Sequence, residues 1–229
     1  MTKIATSLLR LIHRSKNGVF KLAVALLIMS CIIGSSEITR AQYLKEKFKV
    51  VNRMISLDKK SGTIHLNEAE GAGIVWINHK EFIEGTIEFD VKGKDKIQGS
   101  FVGIAFHGLN DSTYESIYFR PFNFRAGDPD RKSHAVQYIA NPGYDWPKLR
   151  AEFPNKYEQP ISPAPDPNQW FHVKITVSGE LICVDVNSGK QPVLKVKSLT
   201  HTHGKMIGYW VGNGSGGDWK NLKIINSGL

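Results

Sequence analysis

At 229 residues, with 22% charged and 41% hydrophobic side chains, the chain has the composition of a globular protein and the length for one well-buried domain. Its formal net charge of +9 is concentrated at the N terminus: six of the 30 basic and one of the 21 acidic residues lie in positions 1–41, so the rest carries an excess of four. A mildly basic body without a clustered basic stripe excludes nucleic acid as a partner.

In chain order, residues 1–41 read as a signal peptide. Lys3, Arg10, Arg14, Lys16 and Lys21 lead into the apolar run LAVALLIMSCII (22–33) and the polar stretch GSSEITRAQ, with Ala41 placed for cleavage before Gln42. The apolar run is short for a bilayer core of about 30 Å. An uncleaved anchor and a lipoprotein leader ending at Cys31 remain alternatives, and the leader is the expected route to a membrane. The expected location is exported: periplasmic, extracellular or cell-surface. The export signal leaves Cys183 alone in the mature part. No internal disulfide can form, and Cys183, in LICVDV, reads as a buried, inert thiol.

Residues 42–59 read as a lead-in and 60–229 as one domain. Past residue 50 no helical period stands out, and two-residue alternation recurs instead. In FIEGTIEFDVK (82–92), Ile87, Phe89 and Val91 alternate with Glu88, Asp90 and Lys92; WFHVKITVS (170–178) repeats the pattern. Further strands are expected at 63–66, 73–78, 99–107, 114–120, 134–140, 180–187, 192–196, 205–212 and 218–225, separated by Gly/Asn/Asp turns such as GLNDST and NGSGG. So many short strands exceed one comfortable open sheet. The fold class is all-β, a two-sheet antiparallel sandwich of jelly-roll type.

YESIYFR (114–120) carries the first functional signal. Alternation puts Tyr114, Ser116, Tyr118 and Arg120 on one face and Glu115, Ile117 and Phe119 on the other, before Pro121 ends the strand. Flat phenols and a multi-donor guanidinium suit the C–H face and the hydroxyls of a sugar. Tyr118, Arg120 and Asn123 are therefore ligand candidates. In HAVQYI (134–139) the phase is open: either His134, Val136 and Tyr138 face the ligand, or Ala135, Gln137 and Ile139 do. His107, at the end of the preceding strand, is a further candidate. The long loop 141–169 holds most of the prolines and a heavy aromatic load, so it reads as ordered and folded over one face. Its Trp146, Tyr157 and Glu158 are candidates to cap the site.

The order FxxGTIEFDV, GSFVGIAFHG, YESIYFRPFN, HAVQYI, WFHVKI and GYWVGNGSGGDWKNLKI resembles the concanavalin A-like lectin/glucanase superfamily, in particular its laminin-G-like and 3-keto-disaccharide-hydrolase-type domains. The resemblance covers about residues 60–226. It implies a ligand on the concave face of one sheet and its rim loops, with carbohydrate as partner. It also implies that a hydrolase of modified (3-keto) glycosides would position substrate with Arg120 and Gln137 and move protons with His134 or Glu158. Family 16 glucanases on this fold use a Glu-x-Asp-x-Glu strand; here Glu88-Phe89-Asp90-Val91-Lys92 puts lysine third, which argues against that chemistry. A non-enzymatic adhesion or protein-interaction module is the alternative. No cofactor is called for. Asp128 with Asp130, and His201 with His203, are incomplete as metal ligand sets, so no metal is assigned.

Overall fold

The computed structural model describes residues 42–187, 189–200 and 204–227; the leader at 1–41, with Cys31, and His201 and His203 lie outside the described residues. Two seven-stranded antiparallel sheets form the body. The first runs β1 (Phe48–Val51), β4 (Gly73–Glu81), β13 (Met206–Val211), β6 (Val102–Gly108), β7 (Tyr114–Phe119), β8 (Val136–Asn141), β9 (Glu158–Gln159). The second runs β12 (Leu194–Lys197), β11 (Leu181–Val186), β10 (Phe171–Ser178), β5 (Gly85–Lys92), β14 (Gly217–Asn226), β3 (Thr63–Leu66), β2 (Ile55–Asp58).

The second sheet behaves as its alternation requires. Ile87, Phe89 and Val91 of β5 and Phe171, Val173, Ile175 and Val177 of β10 are buried, and the residues between them are not. They meet the inner face of the first sheet, where Phe119 packs edge-on against Phe171 with centroids 5.1 Å apart. Trp219 is fully buried and its indole N–H donates to the Gly103 carbonyl at 3.1 Å, tying one sheet to the other. Burying each such ring is worth about 2–3 kcal/mol.

In β6 and β7, by contrast, every residue is buried. The face of β7 carrying Tyr114, Ser116, Tyr118 and Arg120 is thus covered, and not a solvated exterior.

Three expectations are corrected. The stretch 42–59 is more than a lead-in: β1 and β2 within it are edge strands of the two sheets, and the sandwich unit begins at Lys47. Cys183 is only half-buried, because Ile182, Val184 and Val186 take the core face of β11 and turn it outward between Thr176 and Lys195. Short helices do form in the long connections: α1 (Pro121–Phe124), α2 (Pro129–Ser133) and α3 (Trp146–Glu152). Asp128 caps α2 by accepting from the Asp130 N–H, and Asp145 caps α3 by accepting from the Lys148 N–H; each has proline in its first two positions.

Candidate functional site

The covered face of the first sheet holds a hollow of about 730 Å³, within the range of small-ligand sites. Its depth begins with small residues on β6. Gly103 pairs with Tyr118 on one side and with Trp210 of β13 on the other. The two rings close over this glycine to a centroid separation of 4.8 Å. A Cβ at Gly103 would lie 2.1 Å from the Ile117 carbonyl and 2.6 Å from the Tyr118 Cα, so only glycine fits. Tyr114 stands beside Trp210 and its hydroxyl accepts the indole N–H at 3.1 Å.

The polar floor grows from the end of β7. Arg120 is 5% exposed, and its guanidinium lies 5.0 Å from the Tyr118 ring centroid and 5.8 Å from that of Phe101. Nη2 donates to the Tyr118 hydroxyl at 2.8 Å and to Gln137 Oε1; Nη1 donates to the His134 carbonyl at 3.1 Å. The Tyr118 hydroxyl in turn donates to Gln137 Oε1 at 3.0 Å. Burial pushes the Tyr118 phenol up to about 12, against the pull of Arg120, so it stays a neutral donor and acceptor. Burial also lowers the Arg120 pKa from its usual value.

Behind this floor sits Glu158. The two-residue strand β9 places it opposite Gln137, and it is 2% exposed. Arg150 grips both its oxygens, from Nε and Nη2, at 2.7 Å each. Arg120 Nη1 stands 3.6 Å from Oε2 and His134 Nδ1 3.0 Å from it. The Glu158 hydrogen bond raises the Arg150 pKa, whereas burial lowers that of His134 despite Glu158. One turn back on α3, Trp146 is 46% exposed at the rim, its ring centroid 5.0 Å from the Arg150 guanidinium.

Among the described residues, two buried amide atoms at this floor have no hydrogen-bond partner: Oδ1 of Asn123, a residue in the wall of the hollow, and Nε2 of Gln137. Their other ends are committed, Asn123 Nδ2 to the His134 carbonyl at 3.2 Å and Gln137 Oε1 to Tyr118 and Arg120. Left dry, each such atom would cost about 1–3 kcal/mol.

Of the residues singled out from the sequence, Tyr118, Arg120, Asn123, His134 and Trp146 line the hollow, and Gln137 lies directly beneath it. The open phase of β8 resolves through the pairing of Gln137 with Tyr118. Tyr138 therefore faces inward and stacks on Tyr157, centroids 5.6 Å apart; Tyr157 anchors its loop to the sandwich and is not part of the hollow. His107 also lies elsewhere: a positive φ of 53° breaks the alternation at the end of β6. Its Nε2 meets the Ile83 carbonyl at 2.6 Å and its Nδ1 the buried Glu115 at 3.2 Å. Glu115 keeps to the inner face, as alternation requires, with Ser198 and Thr200 also donating to it. Burial raises its pKa, but these bonds and that of His107 outweigh it and the net shift is downward.

Tyr114 joins the wall on the face that alternation gave it, and several wall residues were not foreseen: Phe101, Phe122, Arg131, Arg150 and Trp210. Trp210 was legible as the outward neighbour of Tyr209 in KMIGYWVG; its place beside β6 was not, because that pairing joins strands distant in sequence. The wall carboxylates, among the described residues, are Asp130 and Asp145. Glu88, Asp90 and Lys92 lie on the outer face of the second sheet, where Asp90 accepts from Asn221 and pairs with His172. Among the described residues no three His, Cys, Asp or Glu side chains gather as a metal site.

No protein-family model matches the chain, and no curated protein matches it. Among solved structures it is similar to the carbohydrate binding module CBM66 from Bacillus subtilis: 14% identity, TM-score 0.51, covering 77% of this chain and 93% of that one. It is also similar to a Bacillus subtilis protein of unknown function with a galectin-like fold: 13% identity, TM-score 0.50, covering 76% and 87%. At this identity the likeness concerns the fold, which is the concanavalin A-like jelly roll.

Proposed function

We propose that the chain is an exported carbohydrate-binding module that receives an uncharged sugar residue in the hollow on its first sheet. The observation that carries this reading is the pair of orphaned amide atoms. Asn123, in the wall of an aromatic-lined hollow, offers Oδ1 as an acceptor, and Gln137, just beneath it, offers Nε2 as a donor. A hydroxyl can donate to the first and accept from the second; a carboxylate or sulfate would repel Asn123 Oδ1.

Charge bookkeeping favours a neutral ligand as well. Arg120, Arg131 and Arg150 are matched in number by Asp130, Asp145 and Glu158, and the buried Arg120 guanidinium already makes three hydrogen bonds within the floor. Trp146 at the rim and Trp210, Tyr118 and Phe101 below supply flat faces for sugar C–H groups. One structural neighbour is a carbohydrate binding module, which agrees with this chemistry.

Affinity electrophoresis against a panel of neutral and acidic polysaccharides tests the proposal. Retardation by a neutral glycan is expected. Asn123→Ala should weaken it about tenfold, or ~1.4 kcal/mol, with little loss of fold, since the His134 carbonyl keeps its bond from Arg120. Trp146→Ala should act similarly from the rim. No retardation by any glycan would favour an adhesion module.

Hydrolysis of a modified glycoside, such as a 3-keto disaccharide, is a second reading favoured by one observation: His134 is in the wall with a carboxylate 3.0 Å from Nδ1. Sugar release by the wild type, lost in His134→Gln while binding persists, would establish it.

A further inference from the structure

Arg53 lies between β1 and β2, outside the lining of the hollow, and is 8% exposed. Its guanidinium donates to four main-chain carbonyls: Nε to Ser215 at 3.2 Å, Nη1 to Asn52 at 2.5 Å, and Nη2 to Gly71 at 2.7 Å and Gly212 at 2.8 Å. Among the described residues no carboxylate pairs with it, and burial alone lowers its pKa. A buried cation without a counter-ion needs its donors satisfied, and converging carbonyl dipoles do this as they do around a hard metal ion.

The seat is shaped for this side chain. A Cβ on Gly73 would lie 2.4 Å from Arg53 Cγ. The neighbouring Asn52 amide binds the Glu70 and Ala72 carbonyls at 2.8 and 2.9 Å. The segments so gathered form one side of the hollow, where Ala72, Gly212 and Asn213 are wall residues. They are cross-linked further, Gly71 N–H to Asn213 Oδ1 at 2.7 Å and Phe101 N–H to the hydroxyl of the fully buried Ser215 at 2.9 Å. Phe101 is itself in the wall. Three connecting segments, which continue from the paired ends of β1, β4 and β13 and are also bonded through Gly214 N–H to the Ala69 carbonyl at 3.0 Å, converge on this one guanidinium.

We propose that Arg53 is the positioning residue of this wall: its guanidinium fixes the 71–72 and 212–215 segments, and through Ser215 the Phe101 ring, in the arrangement that receives ligand. The ligand part rests on the carbohydrate reading; the wall-fixing part does not.

The test is hydrogen exchange, read by mass spectrometry, on the full chain and on Arg53→Met, Arg53→Lys and Gly73→Ala. In Arg53→Met, exchange over 71–72, 101 and 212–215 should rise about tenfold or more while β5 and β10 stay protected. Arg53→Lys, which keeps the charge but loses the planar fork, should fall between. Gly73→Ala, which evicts the side chain without deleting it, should reproduce the local effect if Arg53→Met does not fold. Unchanged exchange, or an equal rise in β5 and β10, overturns the assignment. Where the wild type binds a glycan, Arg53→Met should bind it about tenfold more weakly, and equal binding would overturn the ligand part. A wild type that binds none would remove the carbohydrate reading and leave the exchange result to decide the role of Arg53.

Discussion

Glu158→Gln exchanges one carboxylate oxygen for an amide nitrogen and removes the buried negative charge behind the floor. In the wild type this carboxylate faces Arg150 through two bonds of 2.7 Å, Arg120 at 3.6 Å and His134 at 3.0 Å. Breaking a buried charge pair from one side costs about 3–5 kcal/mol. Arg150 is 35% exposed on its side chain, so water takes up part of its loss, and a glutamine oxygen still accepts one bond. Arg120, at 6% side-chain exposure, has no such relief. The net cost is therefore about 2–3 kcal/mol. At about 2–4 °C per kcal/mol for a domain of this size, Tm should fall by roughly 5–10 °C. Differential scanning calorimetry at neutral pH measures it. The Arg150→Met variant should lose at least as much, because it leaves the Glu158 carboxylate, 2% exposed, without its two 2.7 Å bonds, and adding it to Glu158→Gln should cost little more, since the pair is already broken. A Tm for Glu158→Gln within about 2 °C of wild type would refute the view of this carboxylate as the floor's charge anchor.

Two further outcomes follow from the same site. Tyr118→Phe deprives Gln137 Oε1 of a donor and Arg120 Nη2 of an acceptor, so the urea midpoint should drop by the equivalent of about 1–3 kcal/mol with an unchanged slope. His134, held below its usual 6.5 by burial, binds its proton less readily folded than unfolded. Stability should thus fall as pH drops through 6.5 and level off below the folded value, and His134→Gln should flatten that slope in thermal scans between neutral and mildly acidic pH.

The fold was legible because β5 and β10 each bury one face, and a two-residue period has no other reading there. The site was legible where a strand carried it: the phase of YESIYFR puts Tyr118 and Arg120 together without knowledge of any neighbour. It was opaque where the answer lay in which strands are adjacent. Trp210 reaches Tyr118 only because β13 inserts beside β6, and Glu158 reaches Arg120 only because β9 pairs with β8. Tyr138 and Tyr157 went to the wrong place for a related reason: an aromatic in a strand or a loop suits core packing as well as ligand stacking, and only the register decides. The helices of the loop segments did leave a signal, in DPD and DWP, where an aspartate cap precedes proline.

The charges around the hollow bear on what it can do chemically. A group that catalyses by proton transfer needs a proton or lone pair free to move toward the substrate. Glu158 has both oxygens in the grip of Arg150, Arg120 holds a phenol, an amide and a carbonyl, and the Tyr118 phenol is pushed up to about 12. Asp145 accepts from the first turn of α3. Among the described residues, the buried side-chain atoms left without a partner belong to Asn123 and Gln137, amides that form hydrogen bonds but do not titrate. Such a floor can recognise a hydroxyl and hold it. Turnover would have to begin from His134, whose Nδ1 already meets Glu158 and whose Nε2 faces Asp130 at 3.6 Å, a single imidazole in place of the paired carboxylates that glycoside cleavage ordinarily requires.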